Sequence, residues 1–187
     1  LSGTVYQIED ILHQVEAAAK NMEWLVRDRL GNPDSLYAVT RMMMRTNPHV
    51  IGSCVAFEPG FYAEKGELFA PYSYLTEEGE VKDRNLGYAA YNYHAKEWYA
   101  TPKRLDRNYW SEPYFDEGGG DRVMSTYSHV LRNGEGKMFG ILTADISLDH
   151  LSGLVNGIKP YPGSYTLMIS RLGNYLVHPK PERILHE

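Results

Sequence analysis

Two long apolar and β-branched runs, Val123 to Leu131 and Met138 to Ser147, stand on either side of Arg132-Asn-Gly-Glu-Gly-Lys137. A Gly- and Asn-rich turn between two such runs is a hairpin signature, so this stretch commits the chain to an antiparallel pair. Ser147 then stands where a helix N-cap belongs, and Leu148, Leu151, Val155 and Ile158 fall on one helical face, closing near Gly157 to Pro160. A last pair of runs, Ser164 to Ser170 and Asn174 to His178, flanks Arg171-Leu-Gly-Asn174. The order hairpin, helix, hairpin lacks the alternation that a doubly wound parallel sheet requires. It predicts an α+β domain with a central antiparallel sheet of about five strands and flanking helices.

Upstream, Val5, Ile8, Leu12, Val15, Ala19, Met22 and Val26 recur at steps of three and four, which lays an apolar seam along one long helix. Such a seam is compatible with packing along the domain and with contact to a second copy. Gly31-Asn32-Pro33 ends this helix, with Asn32 and Pro33 as N-cap and first residue of the next, which presents Leu36, Val39 and Met43 before Asn47-Pro48. Val50 to Phe57 reads as a central strand, and Leu68 to Leu75 as a second, edge-like one because of Pro71. Between Asn85 and Arg107 the pattern suggests a short strand near Tyr88 and a helix from Ala95 to Tyr99 that ends before Pro102.

Charge and composition exclude several functions. A net charge of -5 with no basic face argues against nucleic acid as a partner. No apolar run reaches the length of a membrane span, and Leu1 follows no charged and apolar leader, so the chain is either soluble or trimmed of its anchors. The single Cys54 lies in an apolar run and reads as a buried, inert thiol. None of the seven histidines pair at the spacing that puts two imidazoles on one helix face, so neither a metal nor a cofactor is expected. Gly118-Gly119-Gly120 lacks the lysine of a phosphate-binding loop and reads as a flexible loop.

The segment from Tyr91 to Asp145 gathers chemistry that packing alone does not need. It holds Tyr91, Lys96, Trp98, Tyr99, Trp110, Tyr114, Asp116 and, at the end of the second strand of the hairpin, Asp145. Aromatic walls with a few fixed charges suit a small polar ligand, and fifteen tyrosines in 187 residues favour recognition over a plain aliphatic core. By strand parity Phe139, Ile141, Thr143 and Asp145 share one side. A carboxylate there is hydrated at the strand end, caps the next helix, or faces a cation such as a ligand ammonium. Asp116, Asp145 and Asp149 can also be read as paired carboxylates of a sugar-cleaving enzyme.

Trp98-Tyr99, Trp110-Ser-Glu-Pro-Tyr114-Phe-Asp116, Ser125-Thr-Tyr127, Gly140-Ile-Leu-Thr-Ala-Asp145-Ile-Ser-Leu148 and Gly173-Asn-Tyr-Leu-Val-His178-Pro179 together resemble the double Cache sensor domains of bacterial and archaeal transmembrane receptors. The resemblance implies a PAS-like sheet, with 1-31 as the long N-terminal helix and 32-187 as the membrane-distal ligand-binding module. It implies an extracytoplasmic location, membrane attachment through segments outside this chain, no enzymatic activity, and a possible homodimer through the N-terminal helix. It also implies ligand-binding roles for Tyr91, Trp98, Tyr99, Tyr114, Asp116 and Asp145, with Lys96 where amino-acid-binding members carry an arginine. Lysine offers one mobile charge where arginine offers a bidentate fork, so the ligand class stays open among amino acids, amines and small carboxylates. The other readings are a secreted glycan-binding or glycan-processing domain, which predicts an open aromatic groove, and a dimerisation module whose site is filled by its own side chains.

Overall fold

The computed structural model describes residues 2–159 and 161–186. Helix α1 (Ser2–Asp28) leads through a short 3-10 turn, Pro33–Ser35, into α2 (Leu36–Thr46). Then follow β1 (Val50–Phe57), β2 (Pro71–Leu75), β3 (Val81–Asn85), α3 (Glu97–Leu105), β4 (Tyr109–Trp110), β5 (Tyr114–Phe115), β6 (Val123–Arg132), β7 (Met138–Ser147) and α4 (Leu148–Asn156). A small hairpin, β8 (Met168–Ile169) and β9 (Tyr175–Val177), closes the order. The main sheet has seven strands, all antiparallel, in the order β3-β2-β1-β7-β6-β4, with β5 also on β6.

The hairpin β6-β7 is the spine of this sheet, running in register from Met124↔Ser147 to Leu131↔Gly140 before it shifts at Arg132↔Met138. That shift leaves Phe139 as an extra residue on β7, and the face alternation breaks there: Phe139 packs into the helix-side core while Met138 packs on the opposite face. Ile141, Thr143 and Asp145 keep the parity expected of them.

The structure departs from the sequence reading in several places. β3 is Val-Lys-Asp-Arg-Asn, mostly exposed, and an edge strand of this kind has no buried face to leave an apolar alternation. It pairs with β2, so β2 is internal, and Pro71 is tolerated as its first residue. No strand forms near Tyr88, and α3 runs on past Pro102 to Leu105, starting two residues later than expected.

One face of the sheet carries the helices. Val15, Ala19 and Val26 of α1 are buried against Leu36, Val39 and Met43 of α2, Val55 and Phe57 of β1, and Leu142, Ala144 and Ile146 of β7. Ile8, Leu12 and Met22 pack partly against the same core, whereas Val5, at the start of the seam, is exposed. Polar contacts pin α1 to the sheet as well: the Trp110 Nε1-H donates to Glu16 at 2.8 Å, and Arg27 donates to the Arg132 carbonyl. Buried His129 of β6 faces Glu23 at 2.8 Å. The Asn108 amide fixes its tautomer, since its oxygen accepts from Val130 N-H and its nitrogen must therefore donate to Nδ1. That leaves His129 Nε2-H to donate to Glu23.

Candidate ligand site

The opposite face is aromatic and polar. Tyr72, Tyr91, Tyr93, Trp98 and Tyr99 are buried there with Cys54, Ala56, Leu86 and Ile141. Within this layer lie two buried carboxylates, Asp116 and Asp145, each about 3% exposed.

Asp145 reaches this position because β7 pairs it with Gly52 on one side and Thr126 on the other. Its Oδ1 accepts from the Thr126 hydroxyl at 2.7 Å and its Oδ2 from the Tyr72 hydroxyl at 3.1 Å. Thr126 has spent its only proton on Asp145, so its 2.7 Å contact with Tyr114 has the tyrosine as donor. The close approach also dictates Gly52: a Cβ there would lie 2.5 Å from both Asp145 Oδ2 and the Tyr72 hydroxyl. Asp145 does not cap α4, whose N-cap bond is donated by Asp149 N-H to the Ser147 hydroxyl oxygen.

Asp116 follows β5 and is wrapped by its own loop. Its Oδ1 accepts from the Tyr91 hydroxyl at 2.6 Å and its Oδ2 from Gly120 N-H at 2.8 Å. The triple glycine that sequence reading left as a flexible loop is thus a fitted wrapper: a Cβ on Gly119 would lie 2.1 Å from Asp116 Oδ2. Arg84 and the Tyr88 hydroxyl both donate to the Gly118 carbonyl, at 2.9 and 2.8 Å, and hold the loop down.

Each of the four carboxylate oxygens therefore accepts from one neutral donor among the described residues. No ion pair to either carboxylate occurs among the described residues. Burial, and secondarily the charge of Asp116, pushes Asp145 up to about 7. Burial also raises Asp116, against its bonds from Tyr91 and Gly120 and the nearby charge of Lys96. Burial first, then the neighbouring carboxylates, lifts Tyr72, Tyr91 and Tyr114 far above their ordinary range, so all three remain un-ionised donors.

Six of the seven residues picked from sequence meet here. Lys96 Nζ lies 4.6 Å from the centre of the Tyr91 ring, and a cleft of about 300 Å³ lined by Lys96, Glu97, Trp98, Tyr114 and Phe115 opens beside the cluster. Tyr99 does not join them. Its hydroxyl donates to Glu58 at 2.5 Å, which also binds Lys103, and its ring packs on Tyr93 and His94. Trp98 and Tyr91 are buried rather than arrayed along an open groove of the kind a glycan needs. Tyr72, Thr126 and Gly52 were missed, although strand parity places Thr126 opposite Asp145 once the hairpin register is fixed.

Comparison with known proteins gives consistent matches. Residues 36–153 match the family model for the methyl-accepting chemotaxis protein-like, first PDC sensor domain. Among curated proteins the chain is 27% identical over 145 residues to methyl-accepting chemotaxis protein TlpQ of Pseudomonas aeruginosa, covering 65% of this chain and 20% of that protein. It is 31% identical over 98 residues to methyl-accepting chemotaxis protein PscA of Pseudomonas syringae pv. tomato, covering 52% of this chain and 15% of that one. The chain thus spans a fifth or less of these relatives' length. The extracellular domain of histidine kinase soHK1S-Z6 superposes with a TM-score of 0.80 at 27% identity, over 97% of this chain and 69% of that one. The ligand-binding domain of Mlp24 with asparagine has the same fold, with a TM-score of 0.70 at 17% identity over 98% of this chain and 69% of that one.

Proposed function

The chain belongs to the methyl-accepting chemotaxis protein-like first PDC sensor domains, and on that premise we propose that it senses a small ligand bearing an ammonium group, an amine or an amino acid, for a membrane receptor. The observation that carries this reading is the pair Asp116 and Asp145. Two carboxylates held out of water by neutral donors, with no ion pair to either among the described residues, form a site for a cation. Tyr91, Trp98 and Tyr114 offer ring faces for the same charge. Lys96 at the mouth is the partner for a ligand carboxylate, which separates amino acids from simple amines. Tyr99 serves as support for α3 rather than as a contact.

In this reading residues 1-31 are the output helix and 32-187 the membrane-distal module, outside the cytoplasm, with attachment through segments beyond this chain. No described helix is long and apolar enough to cross a membrane. Homodimerisation through α1 is supported by Tyr6 and Trp24, which stand 69% and 66% exposed on it. The site acts by binding and not by turnover.

A thermal-shift panel of amines, amino acids and organic acids tests the class. Ligand at about 100 times its dissociation constant adds ~2.7 kcal/mol, or roughly 5 to 10 °C in a chain of this size. The reading is abandoned if no ammonium-bearing compound shifts the melt, or if Asp116→Asn and Asp145→Asn both bind a confirmed ligand as the parent does.

A further inference from the structure

His49 and His150 lie 101 positions apart, yet His49 Nδ1 and His150 Nε2 are 2.8 Å apart, with ring centres at 4.8 Å and planes inclined at 45°. The sheet brings them together. β1 begins at Val50 and pairs antiparallel with Ile146 near the end of β7, so the residue before β1 lies beside the first turn of α4. No spacing rule along the sequence can find such a pair. We propose that His49 and His150 form a surface site for a first-row divalent metal ion such as Ni²⁺ or Zn²⁺, with solvent filling the remaining coordination positions.

The geometry is close to what an ion requires. The 2.8 Å contact is a hydrogen bond, so one facing nitrogen carries a proton. Two nitrogens each about 2.1 Å from a metal are about 3.0 Å apart at a right angle and about 3.4 Å apart at the tetrahedral angle. The ion thus takes the proton's place once that ring holds its proton on its other nitrogen and the pair opens by a few tenths of an ångström. His49 is half-buried and His150 exposed, which fixes one ligand in the frame and leaves the other free to adjust. Asp10 on α1 lies near enough to His49 to interact with its charge. A neutral imidazole pair is the state that binds metal, and the carboxylate of Asp10 adds favourable charge nearby. Among the described residues no group of three or more His, Cys, Asp or Glu side chains is placed to hold an ion, so the site has two protein ligands.

The test is calorimetric titration of the 187-residue chain, free of any affinity tag, with NiCl₂ and separately with ZnCl₂ at pH 7.5. One ion per chain is expected, with affinity falling about tenfold or more in His49→Ala and in His150→Ala. His49→Gln and His150→Gln, melted without metal, separate loss of a ligand from loss of fold. His13→Ala, on the exposed side of α1, should bind as the parent does. The proposal is overturned if the chain takes up neither ion, if both alanine variants bind unchanged, or if His13→Ala loses binding equally.

Discussion

The two faces of β6 and β7 are built from alternate residues of the same ten-residue strands, and they follow different rules. Toward the helices, Leu131, Leu142, Ala144 and Ile146 bury hydrocarbon against hydrocarbon. Toward the site, Thr126, Ser128, Thr143 and Asp145 are as thoroughly buried, but as polar groups with assigned partners. Burial alone therefore does not identify which face stabilises the fold. The helix face gains free energy from exclusion of water, whereas the site face gives some up by holding charge away from water without a counter-ion.

Substitutions on the two faces should therefore fail in different ways. The largest effect is expected from Leu142→Ala, which opens a cavity in the helix-side core and should cost about 2 to 5 kcal/mol of stability by chemical denaturation. Ligand affinity per folded molecule should hardly change. Asp145→Asn should do the reverse, lowering affinity for an amine tenfold to over a hundredfold in calorimetry, since a charge-assisted bond of roughly 1.5 to 3 kcal/mol is lost. At pH 8 its ligand-free melting temperature should equal or exceed that of the parent.

The pH dependence sharpens the same contrast. Asp145 titrates at about 7 when folded, above the unfolded value of about 3.9, so its contribution to stability is greatest below the lower value and is lost as pH rises through the upper one. Binding of an ammonium needs the ionised form, so affinity should rise with pH up to about 7 and then level off. A ligand affinity that is flat from pH 5 to 8 would remove Asp145 from the site. Gly52→Ala tests the packing that connects the strands: the added Cβ must displace Asp145 or Tyr72, at a cost of about 1 to 3 kcal/mol and with loss of binding. The smallest effect is expected for Lys96→Ala, a few-fold loss for amino acids and none for simple amines, because its charge is half-exposed.

How much of this was legible beforehand follows the same division. The β6-β7 hairpin, the α4 cap at Ser147 and the α1 seam are carried by local patterns, and the sequence displays them openly. Asp145 was legible because a carboxylate in an apolar strand is an anomaly. Tyr72 and Gly52 were not, because their role arises from contact across three strands and leaves no periodic trace. Tyr99 stands away from the carboxylate pair for a related reason: its neighbour Trp98 lies beside the pair, but a helix turns consecutive residues by about 100°, and the Tyr99 hydroxyl is aimed at Glu58.

On β6, Thr126 bonds to the site carboxylate, Tyr127 packs in the helix-side core, and His129 holds Glu23 on α1. The buried carboxylate of Asp145 and the helix α1 are thus separated by the thickness of a single extended backbone. Under the proposed function such a strand would act as a thin partition, passing a push on one side to the other across one backbone's width. The ligand need not reshape the domain to be noticed. On the proposed function, a tilt of one strand by a fraction of an ångström would change the seat of α1, and the long helix would convert that small angle into a larger displacement at its far end.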